Sequence, residues 1–291
     1  MKILVLGADG QVGQCLANRL ASTTYEIIFT NRSDIDITDV KGTRIKICSE
    51  NPDVIINATA YTAVDNAESA SVAADQVNHL AVANLAKICV DIESILIHIS
   101  TDYVFDGSAN SPYKEDAEAN PSGVYGKTKL LGELAIQQSG CRYLIFRTAW
   151  LFSEYGNNFL KTMLHLGSQR DELNVVSDQI GCPTYAGDLT KIIAAALLRI
   201  EEDKCEYGIY HYCGDTSCSR YDFAVQIFQE ARKYGVRTPI VNPVVTSDYP
   251  TPAQRPSYSV LDNNKAFQAF GVSPSDWVVG IEHALHLMQE R

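Results

Sequence analysis

The first thirteen residues leave this chain few folds to choose from. Lys2 is followed by the uninterrupted apolar run Ile3-Leu4-Val5-Leu6, and Gly7-Ala8-Asp9-Gly10-Gln11-Val12-Gly13 comes directly after it. Such a run suits a parallel strand covered on both faces. Cys15, Leu16, Leu20 and Ala21 then recur with helical spacing. Strand, glycine loop and helix in that order predict the opening unit of a Rossmann-type, doubly wound parallel α/β sheet. The glycines permit a tight turn and close backbone approach, and the helix N-terminus offers N–H groups to a pyrophosphate. Gly7, Gly10 and Gly13, spaced GxxGxxG, are therefore candidate dinucleotide-binding residues.

The alternation continues for about half the chain. Further strands are predicted over 26–30, 53–57, 95–99 and 143–147, with helices over 40–49 and 68–90. In this fold an acidic residue at the end of the second strand would bind a ribose 2′-hydroxyl and repel a 2′-phosphate. Asn31 and Arg32 stand there instead, which points to NADPH, with NADH possible. The third strand ends in the small residues Ala58-Thr59-Ala60 before Tyr61 and Thr62, where a cofactor could lie close over the backbone. Ligands of open parallel sheets bind outside the carboxyl ends of the strands, so Thr101 and Asp102, just past the fourth strand, are candidate site residues. His98, inside that strand's apolar run, reads as a core histidine.

Tyr125 and Lys129 lie at i and i+4 of a helical run, which places both on one face. A phenol has an unperturbed pKa of about 10, and a neighbouring ammonium stabilises its anion, so the pair can serve as proton donor and acceptor near neutral pH. Trp150, at the end of the fifth strand, could form a flat wall for a sugar ring or fill the core. Residues 249–256 (YPTPAQRP) are too constrained for a helix or a central strand and read as a lid or substrate loop. The predicted organisation is a dinucleotide-binding domain over 1–150, rejoined by about 187–216. An interleaved, smaller α/β substrate-binding domain takes most of 151–291.

A formal net charge of −11 argues against nucleic-acid binding by counterion release. The opening apolar run is too short for a signal peptide and no later run reaches membrane-spanning length, so a cytoplasmic protein is expected. The eight cysteines form no CxxC pair and read as reduced thiols. No metal site is expected: His283 and His286 share a helix face, but no third ligand is evident.

With these pieces assembled, the chain resembles the extended short-chain dehydrogenases/reductases and, within them, the dTDP-4-dehydrorhamnose reductase family across nearly its whole length. The resemblance rests on residues 7–13, 57–65 (NATAYTAVD), 100–105 (STDYVF), 125–129 (YGKTK) and 147–150. It extends through 156–159, Asp178-Gln179 with Gly181 and Pro183-Thr184, and 249–256. It implies reduction of the C4 ketone of a 6-deoxy-4-keto-hexose carried on dTDP. Tyr125 would donate the proton, Lys129 would hold the nicotinamide ribose and lower the tyrosine pKa, and Thr101 would hydrogen-bond the same oxygen. Gln11, Val12, Asp36, Ile37, Ala60, Tyr61 and Thr62, with Ala58, would line the cofactor. Asp102, Trp150 and Asn158 would contact the sugar, and Arg255 is the candidate for the diphosphate. Some family members form a magnesium-linked dimer through glutamates. Cys15 and Gly187 stand at the corresponding positions, so a monomer or weak homodimer is expected here. Two other readings stay open: a reductase or epimerase of another nucleotide sugar, and a non-catalytic regulatory subunit with the same fold.

Overall fold

The computed structural model describes residues 1–290. Its centre is a six-stranded parallel sheet of β1 (Lys2–Leu6), β2 (Glu26–Thr30), β3 (Val54–Asn57), β4 (Ile95–Thr101), β5 (Arg142–Thr148) and the strand Gly208–His211. The spatial order is β2-β1-β3-β4-β5 followed by Gly208–His211. The chain thus winds outward in opposite directions from β1 and β3, and that switch point opens a crevice at the carboxyl end of the sheet.

Alternate residues of each strand feed two cores. Ile3, Val5, Val54 and Ile56 pack with Leu16 and Leu20 of α1 (Gln11–Leu20) and with Leu189 and Ile193 of the helix Ala186–Glu201. Leu4, Ile55, Leu96 and Ile145 pack on the other face with Val82, Leu85, Cys89 and Ile136. Burial on both faces explains why the strands read as unbroken apolar runs. A helix from the second half covers the sheet of the first.

Among the described residues, one strand of the second half returns to this sheet. The remaining segments form two-stranded pieces, including a parallel pair of Glu172–Val176 with Ile240–Val244. Phe152, Leu160, Phe223, Ile227, Trp277 and Ile281 make a separate core there. The helix predicted over 68–90 is interrupted: Val64–Ser69 is one helix, and Ser71–Asp91 is helical with a π-turn at Gln76–Leu80. β4 runs to Thr101, two residues beyond the predicted end, so Ser100 and Thr101 are held by the sheet rather than by a loop.

Candidate active site

Two clefts meet at the carboxyl ends of β1, β3, β4 and β5. One, of about 320 Å³, is lined by Gly7, Gly10, Asn31, Arg32, Asp36 and Tyr61 among others, with Ile37 also in its wall. The other, of about 300 Å³, is lined by Gln11, Val12, Thr62, Thr101, Tyr125, Lys129 and their neighbours. Ala58, Thr59 and Ala60 belong to both and form the floor that joins them.

The first cleft suits a dinucleotide. Gly7 has φ +87°, and a Cβ there would press on Ala58 and Thr59. A Cβ on Gly13 would stand 2.3 Å from the Gly7 carbonyl oxygen. No side chain caps the N-terminus of α1, which leaves the end of a ten-residue helix facing the loop. Arg32 is exposed, and its Nε lies 3.2 Å from Asp36 Oδ2. Bonds from Thr38, then the Arg32 guanidinium, hold the Asp36 carboxyl below the usual carboxylate range.

The floor is fastened by a residue that the sequence reading did not single out. Asn78, fully buried in the π-turn, accepts from the Tyr61 N–H at 2.8 Å. Its amide nitrogen donates to the Tyr61 carbonyl and to Thr128 Oγ1, both at 3.2 Å. From the π-turn this one amide thus links the Tyr61 backbone to the Thr128 side chain.

Tyr125 and Lys129 come from the helix Val124–Ser139, which docks so closely that a Cβ on Gly126 would lie 2.1 Å from the Tyr103 carbonyl oxygen. The Tyr125 ring meets Tyr103 edge-on at 5.6 Å. Burial, with Asp102 and Tyr103 adding to it and the nearby Thr101 side chain opposing it, pushes the Tyr125 pKa well above the ordinary range. Lys129 is 1% exposed. Its Nζ lies 3.2 Å from His98 Nε2 and donates to the Ile99 carbonyl at 2.6 Å. Burial lowers its pKa to about 8, against the pull of Glu133. In this structure the lysine amine therefore turns to β4, and the expected depression of the tyrosine pKa by an adjacent ammonium is not what the residues produce. The phenol is held protonated, as a donor.

Beneath the lysine, Glu133 shares its helix face at i+4 and is wholly buried. It receives a bidentate bond from Arg147, with Nε at 3.0 Å and Nη2 at 2.6 Å, and a hydrogen bond from Ser100 Oγ. Arg147 Nη1 reaches His211 at 3.4 Å.

The sugar-side candidates divide. Asp102 is 1% exposed; one oxygen accepts from Thr101 at 3.0 Å and Oδ2 has no partner. Burial pushes its pKa up to about 6, opposed by Ser259, Thr101 and the Arg220 guanidinium. Thr148 Oγ1, in the same wall, is likewise buried without a partner. Trp150 lines the cleft with a strained backbone, φ +46°, and Arg220 stacks 3.6 Å from its ring centroid. It also packs against the second-half core.

Asn158 does not line this cleft. Its Oδ1 caps the next helix at Lys161 N, and its nitrogen is shared among Gln11 Oε1, Ser153 O and Tyr155 O. It ties the glycine loop to the second half, and Asn157 is the wall residue. Arg255 is held by Asp65 at 2.8 Å, and Ala253 N donates to the same carboxylate. The 249–256 segment is thereby strapped to the helix Val64–Ser69. Arg255 Nη1 is buried without a partner. Arg220 and Arg255 both act on Tyr103. Arg220 was not anticipated, although its place was legible: Ser219 and Asp222 form a capping box that begins a helix at Arg220.

Cys15 and Gly187 border a different surface cleft. Among the described residues, no group of three or more His, Cys, Asp or Glu side chains could hold a metal ion. No described helix is long and apolar enough to cross a membrane.

The sequence matches the family described as RmlD substrate binding domain over residues 1–290. The chain belongs to the dTDP-4-dehydrorhamnose reductase family. It is 46% identical to the dTDP-4-dehydrorhamnose reductase of Aggregatibacter actinomycetemcomitans, over 95% of each chain. It is 41% identical to that of Escherichia coli K12, over 98% of this chain and 97% of the other. The dTDP-4-dehydrorhamnose reductase structure from Clostridium acetobutylicum superposes with a TM-score of 0.92 at 40% identity, covering 99% of this chain and 100% of that one. The Bacillus anthracis enzyme in complex with NADP superposes at 0.90 with 34% identity, over 98% and 99%. The likeness to the UDP-glucose 4-epimerase of Thermus thermophilus, at 18% identity, shows the fold alone.

Proposed function

We propose that this chain reduces the C4 ketone of dTDP-4-dehydrorhamnose to give dTDP-L-rhamnose, in nucleotide-sugar and surface-polysaccharide biosynthesis. It is an NADP(H)-dependent oxidoreductase, and NADPH supplies the hydride when bound. The observation that carries the reading is that Thr101, Tyr125 and Lys129 line one cleft, at the place where it shares its floor with the dinucleotide cleft. Tyr125 donates its phenolic proton to the carbonyl oxygen as negative charge develops on it. Thr101 donates a hydrogen bond to the same oxygen. Lys129 holds the nicotinamide ribose.

Gly7, Gly10, Gln11, Val12 and Gly13 serve the pyrophosphate end of the cofactor site. Asn31, Arg32, Asp36 and Ile37 serve the adenosine end, where the exposed Arg32 guanidinium suits a 2′-phosphate. Ala58, Ala60, Tyr61 and Thr62 form its floor. On the substrate side, Asp102 offers an unpaired acceptor to a sugar hydroxyl, Trp150 a flat wall, and Arg255, joined by Arg220, a cation for the diphosphate. The 1–150 unit, with Ala186–Glu201 and Gly208–His211, carries the cofactor, and the rest carries the dTDP-sugar. The enzyme acts in the cytoplasm as a monomer or weak homodimer, without nucleic-acid partners.

Incubation with 4-deuterated NADPH and dTDP-4-dehydrorhamnose tests the reaction: the expected product is dTDP-L-rhamnose carrying deuterium at C4. Deuterium elsewhere on the sugar, or an unreacted ketone with folded enzyme, contradicts it.

A further inference from the structure

His98 lies wholly inside the sheet, between Asn57 on β3 and Lys129. Asn57 and His98 are register partners of adjacent parallel strands, so their side chains emerge side by side on one face. The hydrogen-bond directions along this row are set from one end. The backbone N–H of Thr59 can only donate, and it donates to Asn57 Oδ1 at 3.1 Å, as does Thr59 Oγ1 at 2.5 Å. That fixes the orientation of the Asn57 amide, and its Nδ2 then faces His98 Nδ1 at 3.1 Å. An amide nitrogen is a donor only, so Nδ1 must carry the lone pair and the imidazole proton sits on Nε2. Nε2 faces Lys129 Nζ at 3.2 Å. An ammonium there would set donor against donor, whereas a neutral amine accepts from Nε2–H and still donates to the Ile99 carbonyl at 2.6 Å.

We infer that His98 is a positioning residue that favours the neutral amine of Lys129 in the ligand-free enzyme, through a one-way row of hydrogen bonds from Thr59 through Asn57 and His98 to Ile99 O. The inference rests on Tyr125 and Lys129 being the working pair of the proposed reaction. It adds that, once the lysine has lost its proton, the resting pair is an uncharged phenol beside an uncharged amine. Protonation of Lys129 is then coupled to its leaving Nε2.

The other charged and titratable groups around the lysine are accounted for. Glu133, on the same helix, is neutralised by Arg147 on β5, which also meets His211. Asp102, Tyr103 and Tyr125 lie on the cleft side. Tyr143 on β5 feels Glu133. On the helices packed below, Glu68 Oε1 accepts from Val124 N, Asp65 pairs with Arg255, and Asp75 pairs with His79. Burial by itself already disfavours the ammonium. The row through His98 adds a hydrogen bond made to the neutral form, a distinct contribution of the same sign.

Nuclear magnetic resonance of the ligand-free enzyme tests this without turnover, so its failure leaves the reductase reading untouched. Long-range ¹H–¹⁵N correlation is expected to show the Nε2–H tautomer of His98 between about pH 6 and 9; an Nδ1–H tautomer overturns the inference. The ¹³Cε resonance of Lys129, identified by its loss in Lys129→Met, reports the amine. In His98→Met the titration midpoint should rise by about half to one pH unit, because the neutral form loses its donor. A midpoint that stays or falls would mean that burial alone sets it, and the inference fails. Should that variant not fold, Asn57→Asp presents an acceptor to Nδ1 and is expected to switch His98 to the Nδ1–H tautomer and raise the midpoint. An unswitched tautomer there contradicts the proposal.

Discussion

Asp102 keeps its carboxyl almost wholly out of water with only one oxygen partnered, so its protonation is coupled to folding. Its pKa is raised from 3.8 to about 6, chiefly by burial. The folded chain thus holds a proton that the unfolded chain has already released. Its contribution to stability is most favourable below about pH 4, is lost as pH rises toward about 6, and stays lost above that. Asp102→Asn should therefore gain stability relative to the wild type across that interval, reaching about 1 to 3 kcal/mol near neutral pH. Urea unfolding at three pH values checks this; a difference that does not vary with pH contradicts it. Thr101, Asp102, Tyr125 and Lys129 could be picked out in the sequence because strand ends and an i, i+4 spacing are local patterns. The direction in which Lys129 points could not, since it depends on His98 and Ile99, 31 and 30 residues away.

The helix Val124–Ser139 carries three chemical side chains at four-residue intervals, and only the first two were singled out in the sequence. Glu133 looks there like one more polar residue among leucines. Its burial depends on Ser100 and Arg147, at separations of 33 and 14 residues, which no local pattern announces. Breaking this pair leaves Arg147 charged and buried, so Glu133→Gln should cost about 3 to 5 kcal/mol in urea unfolding. A cost below about 1 kcal/mol would mean that the bidentate contact does not hold the helix to β5. The parallel strands of the first half were legible because burial on both faces leaves continuous apolar runs. The Glu172–Val176 and Ile240–Val244 pair was not, because the first strand alternates in exposure, the second has no fully buried residue, and the two lie far apart in the chain.

At the scale of the molecule, the two halves are joined over the clefts by Asp65–Arg255 and by Gln11 with Ser153 and Asn158. The unpartnered Arg255 Nη1 gives that strap a free donor. Arg255→Lys, which keeps the charge but loses the fork, should raise KM for the dTDP-sugar at least about tenfold and leave KM for NADPH nearly unchanged. Equal effects on both would place the residue in fold maintenance rather than in substrate binding. A loss of strand–helix alternation past residue 152 is visible in the sequence, and the stretch of about 187–216 expected to rejoin the first unit contains Gly208–His211, which pairs with β5. The most direct measurement compares wild type and Tyr125→Phe for NADPH oxidation with dTDP-4-dehydrorhamnose. The wild type should turn over, and the variant, folded and still binding NADPH, should lose about 10² to 10⁴ in kcat. Wild-type protein that binds NADPH but never oxidises it with this sugar, or a Tyr125→Phe variant as fast as the wild type, would contradict the account.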